Sequence, residues 1–239
     1  MIMSTIAHKL YAVETHMRDA STAAGRDPTQ VQLLAVSKTF PAAHVLEAIA
    51  AGQHAFGENY VQEALDKIAA VAAALPSAHV EWHFIGPIQS NKTRSIAASF
   101  DWVHTVERLK VAERLSAQRP AGLPPLNVCI QVNISGEASK SGAMPAELAE
   151  LAHQVALLPN LTLRGLMAIP APEQDGARQR AAFARLRALA DALREGGLET
   201  DTLSMGMSAD MVAAIAEGAT IVRVGSAIFG GRSTPHHTQ

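Results

Sequence analysis

A single cysteine, Cys129, in 239 residues leaves no partner for an internal disulfide. Its setting, Val128-Cys129-Ile130, is apolar and marks a buried, inert thiol. Aromatic residues make up only 4%, too few for base-stacking platforms. Lys and Arg number 20 against 22 Asp and Glu, a net charge of −2, so no field draws the chain toward nucleic acid or an anionic membrane. No apolar stretch approaches bilayer-spanning length, and the amino terminus lacks an apolar signal-peptide core. The expectation is a soluble, cytoplasmic protein. Zinc-ligand spacing, a P-loop, Gly-x-Gly-x-x-Gly after a strand and Gly-x-Ser-x-Gly are all missing, so no metal site is expected.

What remains is globular: 48% hydrophobic and 18% charged residues. Residues 4–24 form an amphipathic helix pattern with Ile6, Leu10, Val13 and Met17 on one face, ended by Gly25 and Pro28. Beyond it, short apolar runs at 32–37, 53–57, 80–85, 101–105, 126–133, 162–168, 201–204 and 220–224 alternate with helical patterns near 42–51, 60–74, 90–99, 107–118, 145–158, 176–196 and 208–217. Such alternation gives parallel strands with crossover helices. Eight units with short connections predict a single α/β domain over residues 1–232, a (β/α)8 TIM barrel with an extra N-terminal helix, and a disordered tail at 233–239.

Barrel chemistry sits at the carboxyl ends of the strands. The first strand ends Leu34-Ala35-Val36-Ser37-Lys38, so the Lys38 stem is expected to leave the barrel core. Partial burial disfavours an ammonium and suits a lysine that forms an imine, although a strand-end lysine can also be simply exposed. The last strand ends Arg223-Val224-Gly225-Ser226, and Ser208 follows the seventh. Loops after strands seven and eight commonly cradle a phosphate with backbone N–H groups and hydroxyls. Ser208 also precedes a helical run and reads equally as an N-cap. An amine and an anion site on one face suggest a phosphorylated aldehyde held as a Schiff base, with pyridoxal 5'-phosphate the leading candidate. Arg223 interrupts an apolar strand and needs a partner, either a carboxylate such as Glu58 or Asp210 or a cofactor. Asn59 is placed to hold a ring substituent. His83 reads as a core histidine or a site residue, and the methionines at 205, 207 and 211 as packing more than as a cofactor box.

Several motifs occur in order: Ala35-Val36-Ser37-Lys38-Thr39, Phe56-Gly57-Glu58-Asn59-Tyr60, Trp82-His83-Phe84-Ile85-Gly86-Pro87-Ile88-Gln89-Ser90-Asn91-Lys92, Gly165-Leu166-Met167, Leu203-Ser204-Met205-Gly206-Met207-Ser208-Ala209-Asp210 and Arg223-Val224-Gly225-Ser226. In these the chain, from about residue 5 to residue 232, closely resembles the pyridoxal phosphate homeostasis protein family, related to the N-terminal domain of alanine racemase. The resemblance implies a type III pyridoxal phosphate barrel with Lys38 as the internal aldimine lysine. Ser208, Gly225 and Ser226 would lie at the phosphate and Arg223 at the pyridine nitrogen, with Asn59, His83 and Met205 completing the cofactor contacts. Family members often carry threonine where Ser226 stands and asparagine where Ala209 stands; Ser226 keeps the hydroxyl.

The resemblance implies a protein that binds pyridoxal phosphate and buffers or delivers it, with pyridoxal phosphate-dependent apo-enzymes as recipients and no catalytic residue of its own. An amino-acid racemase of low activity is the alternative. Type III racemases add a carboxy-terminal β-domain that supplies a tyrosine and closes a dimer. Its absence here, with the tyrosines confined to Tyr11 and Tyr60, favours a monomeric carrier. A sugar-phosphate enzyme would also use the anion site but leaves the motif set unexplained. Lys140, in Ser139-Lys140-Ser141-Gly142, reads as a loop lysine or a secondary cofactor contact.

Overall fold

Ser4 starts the first helix: its hydroxyl accepts the Ala7 N–H at 3.2 Å, satisfying a donor that the helix cannot. Helix α1 (Thr5–Ala23) then buries Ile6, Leu10, Val13 and Met17, the stripe that a 3.6-residue period requires. The computed structural model describes residues 4–137 and 141–231, so the expected tail at 233–239 and Lys140 lie outside the described residues.

The apolar runs become strands β1 (Gln32–Val36), β2 (Ala55–Glu58), β3 (Glu81–Phe84), β4 (Trp102–Val106), β5 (Leu126–Gln131), β6 (Leu161–Met167), β7 (Thr202–Ser204) and β8 (Ile221–Val224). They pair in sequence order, all parallel, and β8 returns to β1 with Leu34 opposite Arg223 and Ala35 opposite Val224. The barrel is closed, as expected. Even β7, poor in apolar residues, is paired on both sides. Between the strands run α2 (Ala42–Ala50), α3 (Val61–Ala74), α4 (Thr93–Ser99), α5 (Leu109–Gln118), α6 (Leu148–Ala156), α7 (Gly176–Glu195) and α8 (Met211–Ala216), with a short α9 (Ser226–Phe229) after β8. The helical patterns at 90–99 and 145–158 each open with a 3-10 turn, at Ser90–Lys92 and Pro145–Glu147.

Side chains alternate between two layers, because a strand turns successive residues to opposite faces. Phe56, Trp82, Phe84, Val103, Val222 and Val224 face the helices. Leu34, Ala55, Trp102, Cys129, Met167 and Ile221 form a separate cluster inside the barrel. Helix α1 lies against α2, α8 and α9 and so covers the seam between the first and last units. Arg26 ties it down, donating from Nη1 to the Ile215 and Ala219 carbonyls, both at 2.8 Å.

Cys129 is fully buried, and burial pushes its thiol up to about 12. The thiolate is the reactive form, so labelling by a thiol reagent at pH 8 should wait for unfolding. Prompt stoichiometric labelling of the native protein would contradict this placement.

Candidate functional site

The two-residue period of β1 carries Leu34, inside the barrel, up to Val36 and then Lys38 at the strand-end mouth. Both line a cavity of about 380 Å³ together with Asn59, Ile85, Ser208, Arg223, Gly225 and Ser226. That volume falls within the range of small-molecule sites. A neighbouring hollow of about 660 Å³ shares Ile169, Met207 and Ala209 with it, and another of about 480 Å³ opens at the opposite mouth, around Gln32, His54 and Glu81. Of these three hollows, the strand-end cavity alone combines an amine, hydroxyls and a guanidinium among the described residues.

Six of the eight expected site residues meet there: Lys38, Asn59, Ser208, Arg223, Gly225 and Ser226. Lys38 is half-buried. The Asn59 amide oxygen is buried without a hydrogen-bond partner in the protein, an acceptor suited to a ligand donor. The Asn59 backbone is held by a close approach to Gly86, where a Cβ would overlap the Asn59 carbonyl. Gly225 sits so near β1 that a Cβ would lie 3.1 Å from the Val36 carbonyl oxygen. Ser226 follows as the first residue of α9, where a helix's own ladder leaves N–H groups over.

His83 and Met205 are not on the cavity wall. Met205 is buried in the layer between barrel and helices. His83 lies in the barrel interior, stacked on Trp102 with ring centroids 5.3 Å apart and bonded through its two nitrogens to Glu81 (2.7 Å) and His104 (2.8 Å). Ser208 is not an N-cap: α8 begins at Met211, and the Asp210 carboxylate instead accepts the Met207 N–H at 2.6 Å. The turn leaves Ser208 exposed at the cavity mouth.

Arg223 does not pair with Glu58 or Asp210. It donates to the Ser204 hydroxyl (2.8 Å) and the Ala168 carbonyl (2.9 Å), and no carboxylate lies within ion-pair distance of it among the described residues. Burial brings its pKa down to about 10, opposed by the more distant Asp210, which still leaves a cation at neutral pH.

Glu58 is engaged elsewhere, in a network that sequence reasoning missed. It is wholly buried behind β1 and β2; Oε1 accepts from the Ser37 hydroxyl and from the Lys67 ammonium, both at 2.6 Å. Lys67 also donates to the Ser37 carbonyl (2.7 Å) and pairs with Glu63 (2.6 Å), whose carboxylate accepts the Thr39 N–H (2.6 Å). Thr39 holds φ at 67°, a left-handed conformation that a β-branched residue adopts only under outside constraint. The residues on both sides of Lys38 are thus clamped by one buried ammonium. In sequence, Glu63 and Lys67 look like an ordinary exposed i,i+4 helix pair. The one available signal was Lys67's position on the apolar stripe of α3, with Val61, Ala64 and Val71.

The family model described as alanine racemase, N-terminal domain, matches residues 9–233. A pyridoxal phosphate homeostasis protein of Pseudomonas aeruginosa is 64% identical over 230 residues, covering 96% of this chain and 97% of that one. The protein of that name in Escherichia coli K12 is 57% identical over 235 residues, covering 96% and 98%. Among solved structures, PipY of Synechococcus elongatus with PLP bound superposes with a TM-score of 0.82 at 38% identity, covering 94% of this chain and 100% of PipY.

Proposed function

Since this chain belongs to the alanine racemase N-terminal domain family, close to the proteins named for pyridoxal phosphate homeostasis, we propose that it holds pyridoxal 5'-phosphate in the strand-end cavity. On this reading it serves cofactor homeostasis in the cytoplasm, buffering the cofactor or delivering it to apo-enzymes, without turnover of its own. One observation carries the reading. The cavity wall combines an amine (Lys38), two hydroxyls (Ser208 and Ser226), a backbone cradle at Gly225 and a buried guanidinium (Arg223). That set complements an aldehyde, a phosphate and a pyridine nitrogen on one molecule.

When bound, pyridoxal phosphate supplies an aldehyde that amines capture and a ring that draws electrons from the attached carbon. Lys38 is the covalent anchor. Ser208, Gly225 and Ser226 take the phosphate through hydroxyl and N–H donors. The unpartnered Asn59 amide oxygen accepts from a ring substituent. Arg223 offers donors only and keeps its proton, so a ring nitrogen held against it would stay unprotonated and the ring would be a weak electron sink. Among the described wall residues only Lys38 and Arg223 ionise. Racemisation by two bases needs proton-transfer groups on both faces of the substrate carbon, which supports holding over turnover.

Titration of the purified protein with pyridoxal phosphate should give a saturable visible band, with no alanine racemisation above the protein-free control. Racemisation at enzymatic rates would overturn the holding role. Hydrogen bonds to a charged phosphate contribute about 1.5–3 kcal/mol each. Ser208→Ala with Ser226→Ala should therefore weaken retention by on the order of a hundredfold or more, and an unchanged dissociation constant would remove the phosphate assignment.

A further inference from the structure

The barrel interior carries a line of polar side chains from one mouth to the other. Arg223 lines the strand-end cavity and donates to Ser204 Oγ at 2.8 Å. Ser204 Oγ lies 2.8 Å from His104 Nδ1, His104 Nε2 lies 2.8 Å from His83 Nδ1, and His83 Nε2 lies 2.7 Å from Glu81 Oε1. Glu81, at the start of β3, lines the hollow at the opposite mouth and is about one-third exposed, at 32%. The four residues between Glu81 and the cavity are buried.

Both ends force the same placement of protons. The His83 contact holds the Glu81 carboxyl down to about 2, so Glu81 only accepts and His83 carries hydrogen on Nε2. A neutral His83 accepts at Nδ1, so His104 carries hydrogen on Nε2. A neutral His104 accepts at Nδ1, so the Ser204 hydroxyl donates to it and its oxygen is left to accept. Arg223, which has donors only, supplies that bond. Were either imidazole doubly protonated, Ser204 would face two donors and its own hydrogen would find no acceptor in the line. Burial also opposes both imidazolium forms, outweighing Glu81 at His83 and reinforced by Arg223 at His104.

We propose that Glu81 is a positioning residue for Arg223. Through the one-way chain Arg223→Ser204→His104→His83→Glu81, a carboxylate at the far mouth of the barrel fixes the direction of every bond in the line, so that Ser204 presents its oxygen to the guanidinium and holds it seated on the cavity wall. Two neutral rings carry the polarisation across the core, so no second charge is buried there. Two of the five guanidinium N–H groups are committed, to Ser204 and Ala168, and Arg223 lines the cavity, where an acceptor can take a further one. Only the identity of that acceptor rests on the pyridoxal phosphate reading; the chain itself does not.

The test is nitrogen NMR of the ¹⁵N-histidine-labelled full chain without cofactor, with the His83 and His104 signals assigned. Both rings should show a protonated Nε2 and a bare, accepting Nδ1. Glu81→Gln keeps an acceptor for His83 but removes the charge. It should shift the ring signals of His83 and also those of His104, which is not bonded to residue 81. It should also weaken pyridoxal phosphate binding about threefold to tenfold, the scale of coupling through such a network. A ring protonated at Nδ1 in the wild type, or His104 signals unmoved in Glu81→Gln, would overturn the proposal. Moved signals with unchanged affinity would overturn the link from Glu81 to Arg223's seating. If wild-type protein binds no pyridoxal phosphate, the cofactor reading fails, and the wild-type and Glu81→Gln nitrogen signals alone decide the chain.

Discussion

Lys38→Ala is expected to abolish covalent retention of pyridoxal phosphate: after borohydride reduction, the intact mass should show one fixed cofactor in the wild type and none in the variant. Lys38 is the only amine among the described residues of the cavity wall. Hydroxyls and a guanidinium cannot replace it, because forming the linkage requires a nucleophilic nitrogen that can lose its protons. The phosphate cradle is untouched, so the variant still takes up cofactor weakly and reversibly, with the absorption of the free aldehyde. Reducible cofactor at the same stoichiometry in Lys38→Ala would move the anchor to another amine, and Lys140 would be the first to replace.

The largest stability effect is expected from Lys67→Met. Methionine fills much of the same volume but removes the ammonium from Glu58, which has no exposure and whose second oxygen, Oε2, has no partner. Breaking a buried pair from one side costs about 3–5 kcal/mol, because the remaining charge is stranded. Glu58 already sits above the usual carboxylate range: burial raises it more than Lys67 and Ser37 lower it. Without Lys67 it rises further. A carboxyl whose folded pKa exceeds its unfolded value binds its proton more tightly in the folded state, so stability falls as pH rises from the unfolded value through the folded one. The deficit of Lys67→Met should therefore be large at pH 8 and shrink toward pH 5. Adding Glu58→Gln should recover part of it at pH 8. Urea unfolding of the three proteins measures this, and a loss below about 1 kcal/mol, the scale of an exposed pair, would show that the pair is solvated.

The barrel was legible because the strands other than β7 are apolar runs bounded by polar turns, and because the helix stripes keep their period, as at Ile6, Leu10, Val13 and Met17. Lys38, Gly225 and Ser226 were legible as strand-end residues, since position along a strand decides which mouth a side chain reaches. Of the two roles that the sequence allows Ser208, a phosphate contact and an N-cap, the cap is removed because α8 begins only at Met211. The clamp around Lys38 was not legible. Ser37, Glu58 and Lys67 are distant in sequence, and a lysine on a helix carries no sign that its ammonium is buried. Likewise His83 has no ring partner near it in the sequence. Its partner His104 lies in the next strand, where β3 pairs with β4, and two histidines inside adjacent apolar strands were the available clue. A charge inside an apolar strand points to a carboxylate or a cofactor, whereas the protein groups that Arg223 bonds are a hydroxyl and a carbonyl.

The closure of β8 onto β1 sets when this cavity can exist during synthesis of the chain. Lys38 leaves the ribosome well before Arg223, Gly225 and Ser226, yet Leu34 is paired with Arg223 in the finished sheet. Contacts so remote in sequence form late, after the intervening chain has ordered. A nascent or truncated chain therefore carries the amine without the cradle, and the ability to retain a phosphorylated aldehyde appears only when the ring of strands shuts. Ligand capture is thus a readout of complete folding: the cofactor adds its binding energy to the finished barrel and to nothing before it.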